Sequence, residues 1–128
     1  MRRLAWFLAG FALTWVLSFS LASAQCPGLT TQLMPYAEEV LTISSTPKPF
    51  TSSVYKTGNA SPAMAVMTLE GGGIRYFLVG TPTATDGHPV PLLQPVPICG
   101  VSSIQAFKAV RQDVDAKLTV TYFKLKTP

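Results

Sequence analysis

From residue 40 onward the chain reads as short alternations of apolar and polar positions, broken by turn residues. Val40–Ser45 (VLTISS) alternates with period two, the mark of a half-buried strand. Ser52–Lys56 (SSVYK) reads as a short edge strand, and Thr57–Pro62 (TGNASP) as a loop. Ala63–Leu69 (AMAVMTL) is a mostly apolar run suited to a central strand. In Ile74–Val79 (IRYFLV), Ile74, Tyr76 and Leu78 share one face and Arg75, Phe77 and Val79 the other. Gly80–Pro97 holds five prolines and predicts an extended, irregular crossing with a short strand at Val90–Leu93. Ile104–Val110 and Lys117–Lys124 are the last two strands, with the polar turn Arg111–Ala116 between them. In the final strand Leu118, Val120 and Tyr122 form one row and Thr119, Thr121 and Phe123 the other. Residues 25–39 carry no clear period and read as an N-terminal linker with one helical turn at Met34–Glu39. Six or seven short strands and no long helical period predict an all-β antiparallel sandwich over residues 40–128.

The run Gly71-Gly72-Gly73 lies between two predicted strands, and a glycine-rich connector of this length reads as a β-hairpin turn, where glycine supplies positive φ. A dinucleotide-binding loop needs G-x-G-x-x-G ahead of a helix. Here Tyr76 occupies the third glycine position and a strand follows, so no helix N-terminus meets an anion.

The first 24 residues have the three parts of a secretory signal peptide. Arg2 and Arg3 give the basic start, Leu4–Leu17 the apolar run, and Ala22-Ser23-Ala24 the small-residue cleavage site. Cleavage between Ala24 and Gln25 leaves an exported chain. Uncut, this hydrophobic helix is just long enough to serve as a membrane anchor. Lipidation of Cys26 is disfavoured by Gln25, because such signals want a small residue directly before the cysteine. Both cysteines, Cys26 and Cys99, fall in the exported part, where one disulfide between them is the expectation and two buried thiols the alternative.

Removing Arg2 and Arg3 from the ten basic residues leaves eight, against six acidic ones. A net charge near +2, scattered along the chain, is not the footprint of a nucleic-acid binder. With 48% hydrophobic and 12% charged residues, the composition supports a packed core rather than disorder.

No catalytic constellation stands out, and no cofactor is expected. His88, the single histidine, lies beside Asp86 in a D-G-H sequence and could in principle act as a base or ligand. It lacks the companions zinc requires, no G-x-S-x-G elbow is present, and the plain reading is a loop histidine that caps a turn. Asp113 and Asp115 have the opening spacing of a calcium loop without its remaining ligands or its glycine, and read as a solvated turn. Asn59-Ala60-Ser61 is a glycosylation sequon followed unfavourably by Pro62. Tyr55, Tyr76, Phe77, Phe107, Tyr122 and Phe123 could form a stacking platform for sugars, but their alternate strand positions suit a core better.

The blocks IRYFLVGTPTATDGH, IQAFKAVRQ and AKLTVTYF, in that order, resemble small β-rich structural proteins of tailed bacteriophages and prophages. The same core pattern is similar to immunoglobulin-like modules such as the C-terminal domain of chitobiases. The positions carrying the resemblance are Glu70, Ile74, Arg75, Tyr76, Gly80, Pro82, Thr83, Gly87 and His88, within a match over about Val40–Phe123. Val79 stands where the pattern has an Asp, and the gap from Gly80 to Pro82 is one residue short, so this turn must be built differently. The resemblance implies an immunoglobulin-like sandwich with a structural or binding role and no catalytic residues. The expectation is a non-enzymatic virion-associated module acting through contacts with other structural proteins or with copies of itself. Strand edges near the prolines and the Thr-rich face of the last strand are its natural contact surfaces. The alternative is an exported periplasmic or secreted module that binds envelope polymer or carbohydrate. The membrane enters only through the N-terminal segment.

Overall fold

The structure is a computed structural model that describes residues 26–27 and 32–127. The expected leader and its cleavage site at Ala24/Gln25 lie outside the described residues. Among the described residues eight strands form two four-stranded sheets. They are β1 (Leu33–Ile43), β2 (Lys48–Pro49), β3 (Met64–Glu70), β4 (Ile74–Phe77), β5 (His88–Pro89), β6 (Val96–Cys99), β7 (Lys108–Arg111) and β8 (Ala116–Leu125). Two short helices interrupt them, α1 (Ser52–Tyr55) and α2 (Val101–Ala106), with a 3-10 turn at Thr57–Asn59. Sheet A has the order β1-β8-β3-β6 and sheet B the order β2-β7-β4-β5, and the strands within each pair antiparallel. The sandwich-like arrangement of two antiparallel sheets agrees with the sequence reading.

The core lies between the sheets. Alternation along β8 turns Leu118, Val120 and Tyr122 inward, where they meet Leu41 and Ile43 of β1 and Ala65, Met67 and Leu69 of β3. From the other side come Ile74, Phe107 and Ala109, joined by Phe50 and Tyr55 from the segment after β2. The Phe50 and Phe107 rings stack with centroids 3.9 Å apart, and Tyr122 meets Phe50 edge-on at 5.7 Å. Each such side chain removed from water contributes about 1.5–3 kcal/mol before entropy is counted.

Consecutive strands often belong to different sheets, which corrects the hairpin expected at Gly71–Gly73. β3 pairs with β8 and β6, whereas β4 pairs with β7 and β5, so the glycines carry the chain from sheet A to sheet B. The turn after β7 makes the reverse crossing, from sheet B back to sheet A. The two crossings lie against each other. A Cβ on buried Gly72 would stand 2.8 Å from Val114 Cγ2 and 3.0 Å from the Val114 carbonyl oxygen, while Gly71 has φ +88°.

Other elements differ from the sequence reading for local reasons. β1 begins at Leu33, inside the expected linker, and no helical turn forms at Met34–Glu39. A bulge between Pro35 and Ala37 shifts its register and breaks the alternation that would mark a strand. Ser52–Lys56 forms one helical turn instead of an edge strand, with the Thr51 carbonyl accepting the Val54 and Tyr55 amides. Val90–Leu93 is irregular, touching sheet A only through an isolated bridge from Leu92 to Leu69, and the strand lies later, at Val96–Cys99. Pro97 is tolerated there because β6 pairs on one side only. The expected strand Ile104–Val110 divides into the end of α2 and β7. Ile104 and Phe107, three residues apart, are both buried, a spacing that suits a helical turn as well as a strand.

The disulfide Cys26–Cys99 is formed, with the two Cα atoms 5.5 Å apart. It ties the start of the described chain to the end of β6, in the cross-strand row of Cys99, Met64 and Phe123. Closing a loop of 73 residues contributes roughly 4 kcal/mol in the chain-entropy account.

Because the crossings press together, Gly71→Ala and Gly72→Ala are each expected to lower the unfolding free energy by about 1–3 kcal/mol, read from chemical denaturation midpoints. Wild-type midpoints in both variants would contradict this packing.

Candidate functional site

The residues carrying the sequence motif gather on β4, β5 and the loop between them, all except Glu70. Ile74 is fully buried, and Tyr76 stacks on Phe107 with ring centroids 5.5 Å apart. Arg75 reaches across the sheet: its Nη1 donates to the Gly87 carbonyl at 2.9 Å. Its Nε and Nη2 donate to the Gln112 side-chain oxygen at 3.0 and 3.3 Å, in the amide orientation that satisfies both groups. Gly87 has φ +133°, and an added Cβ would stand 3.1 Å from both the Arg75 Cβ and the Tyr76 carbonyl oxygen. Glycine there lets the returning chain lie close against β4.

The loop closes its turn through Thr83 and Asp86. The Thr83 amide donates to the Asp86 carbonyl at 3.0 Å, and the Thr83 hydroxyl accepts the Asp86 amide at 3.0 Å and lies 3.3 Å from the Asp86 carboxylate. Gly80 reverses the chain with φ +90°, and Val79 is 89% exposed. Pro82 is buried, sharing a cleft wall with Val110 on the outer side of sheet B.

His88 does not cap this turn, contrary to the sequence reading. It lies on β5 opposite Tyr76, with its ring 5.5 Å from the Tyr76 ring and 6.0 Å, edge-on, from Phe77. The Asp86 carboxylate lies 3.3 Å from the Thr83 hydroxyl. Asp115 takes the Arg111 guanidinium, and Asp113 is exposed at the corner. Among the described residues no three His, Cys, Asp or Glu side chains gather. No described helix is long and apolar enough to cross a membrane. A cleft of about 440 Å³ between Gly58–Ala63 and Val101, Lys124 and Leu125 has no acidic or imidazole group in its wall. Asn59 of the sequon is exposed on this cleft with φ +61°.

Most of the strand aromatics are core, as their alternate positions suggested. Tyr55, Phe107 and Tyr122 are buried, Tyr76 packs against the core, and Phe77 and Phe123 are half-buried. Phe50, at the centre of the aromatic stack, had no signal of its own between Pro49 and Thr51. The polar knot beside it likewise has no local signal in the sequence. Glu39 on β1 accepts the Tyr122 hydroxyl and, at 3.0 Å, the Thr51 amide, and the Tyr36 hydroxyl donates to the Tyr55 carbonyl.

The outer face of sheet A presents a different surface. Its cross-strand rows run Glu38–Thr121–Val66–Pro97, Val40–Thr119–Thr68 and Thr42–Lys117–Glu70. The Thr121 hydroxyl donates to Glu38 at 3.3 Å, and Lys117 Nζ lies 3.6 Å from Glu70. Glu70 therefore belongs to this face and not to the β4–β5 cluster. The chain matches no protein-family model, no curated protein and no solved structure.

Burial raises the Tyr122 phenol far above its ordinary range, and the hydrogen bond to Glu39 and that carboxylate's charge raise it further. Burial also raises Tyr36 and Tyr76. Unfolded phenols ionise near pH 10, so above about pH 10 the unfolded chain holds fewer protons than the native one and stability falls as pH rises. The denaturation midpoint is expected to hold steady up to about pH 9 and then decline, less steeply in Tyr122→Phe. A wild-type midpoint unchanged through about pH 11 would contradict the buried Tyr122–Glu39 pair.

Proposed function

We propose that this chain is a non-enzymatic interaction module of the immunoglobulin-like kind, belonging with the phage structural proteins its motifs resemble and working through protein–protein contact. The observation that carries the reading is where the motif side chains are engaged. Ile74 and Tyr76 fill the core, Arg75 and Gly87 hold β5 and its loop against β4, and Thr83 closes the loop turn. None of them is left aimed at a substrate. The surface outside this framework is the regular hydroxyl and methyl face of sheet A, a shape suited to packing against another protein.

The disulfide favours a second reading, the exported module, because such bonds persist in oxidising compartments. Burial of Tyr55, Phe107 and Tyr122 leaves little aromatic surface for stacking sugars, so envelope protein or polymer is the fitting partner class outside the cell.

Intact mass without reductant, measured in purified phage particles, cell envelope and culture medium, tests the reading. The chain is expected in particles. Recovery in envelope or medium, starting at Gln25 and about 2 Da lighter than its reduced form, would move the module to the exported reading. A chain with free thiols confined to the cytoplasm would contradict both.

A further inference from the structure

We propose that a second copy of this chain docks on the free edge of β1, with the two β1 strands antiparallel about a two-fold axis through Val40. The two four-stranded sheets A then join into one sheet of eight strands. This rests on the reading of the chain as an interaction module and names its partner.

Three of the four sheet edges are closed to such pairing. β2 (Lys48–Pro49) and β5 (His88–Pro89) are two residues long and each contains a proline. β6 carries Pro97, and its last residue, Cys99, is crossed by the disulfide. Proline has no N–H to offer a ladder, so the edges near the prolines, which the sequence suggested as contact surfaces, are the protected ones. β1 differs. It pairs only with β8, and among the described residues no other element donates to or accepts from the backbone of Leu33–Ile43. Its proline-free stretch after the bulge is Ala37–Ile43, whose midpoint is Val40. Val40 is 59% exposed on the outer face, an apolar side chain where an edge strand would ordinarily be guarded by charge.

Charge selects the register. A two-fold axis normal to the sheet keeps outer residues opposite outer residues, so a residue must sit on the axis. With Glu38 or Glu39 there, like carboxylates meet. With Leu41 there, the run extends to Ser44, whose carbonyl already accepts the Arg111 amide. With Val40 there, valine meets valine and Glu38 faces Thr42 of the other copy, beside which stands Lys117. No like charges oppose each other, and the row Glu70–Lys117–Thr42 continues into Glu38 and Thr121 across the axis.

The test is the solution mass of the purified, disulfide-intact chain over a concentration series, with three variants and a measurement in the source extract. Wild type is expected to approach twice the chain mass with rising concentration. Val40→Lys, which places like charges on the axis at an exposed site, is expected to weaken dimerisation at least ~10-fold with an unchanged melting temperature. Val40→Cys is expected to yield a covalent dimer on oxidation, since directly opposed residues of an antiparallel pair have Cα atoms about 4.5–5.5 Å apart, within the span a disulfide bridges, whereas Val79→Cys should not. A dimer indifferent to Val40→Lys overturns the proposal, as does a wild-type chain that stays monomeric throughout. If that monomer runs within a larger assembly in the extract, only the second-copy assignment falls; if it is alone there too, the interaction-module reading falls with it.

Discussion

Gly72 lies against Val114 so closely that a single added carbon would collide with it, and this contact joins two of the places where the chain changes sheet, the β3–β4 and β7–β8 connections. The segment 71–73 carries the backbone from sheet A to sheet B, and the segment 112–115 carries it back. Had either crossing been bulkier, β4 and β8 could not both start where they do. The sheets would then splay at this end, and Leu69, Ile74, Ala116 and Leu118, which flank the crossings, would lose the burial that sets them in the core. The glycine run is thus a packing requirement, with positive φ at Gly71 as its second half.

At the other end of the sandwich the aromatic stack has the corresponding role. Phe50, Phe107, Tyr76, Tyr122 and Tyr55 form a connected set of rings that fills the space between the sheets. A core this aromatic must satisfy its phenols. Glu39 does so for Tyr122, and the Tyr55 carbonyl does so for Tyr36. The same bonds hold α1 against β1. Glu39, Tyr36 and Tyr122 are thus hydrogen-bonded into the frame.

How much of this was legible in the sequence depended on whether a signal was local. The inward row Leu118, Val120 and Tyr122 could be read because period-two alternation is written in consecutive residues. The Cys26–Cys99 bond followed from counting two cysteines in a segment read as exported. The pairing of β3 with β8 and β6 could not be read, because a glycine-rich connector looks alike whether it closes a hairpin or changes sheet. β1 was concealed by one extra residue at its bulge, and β6 by Pro97, which only an edge position permits. The motif at β4 and β5 was visible as a pattern, but its purpose was not. That Arg75 serves Gly87 and Gln112, with His88 resting on aromatic rings, is a matter of three-dimensional placement.

If the glycine crossing fixes the rest, strand pairing measured in solution tests it most directly, through interstrand nuclear Overhauser contacts in an isotope-labelled chain. Backbone contacts are expected between Tyr76 and Ala109 and between Met67 and Val120, with no ladder joining β3 to β4. A ladder that places Leu69 opposite Ile74 across the glycines would contradict it, because both strands would then lie in one sheet.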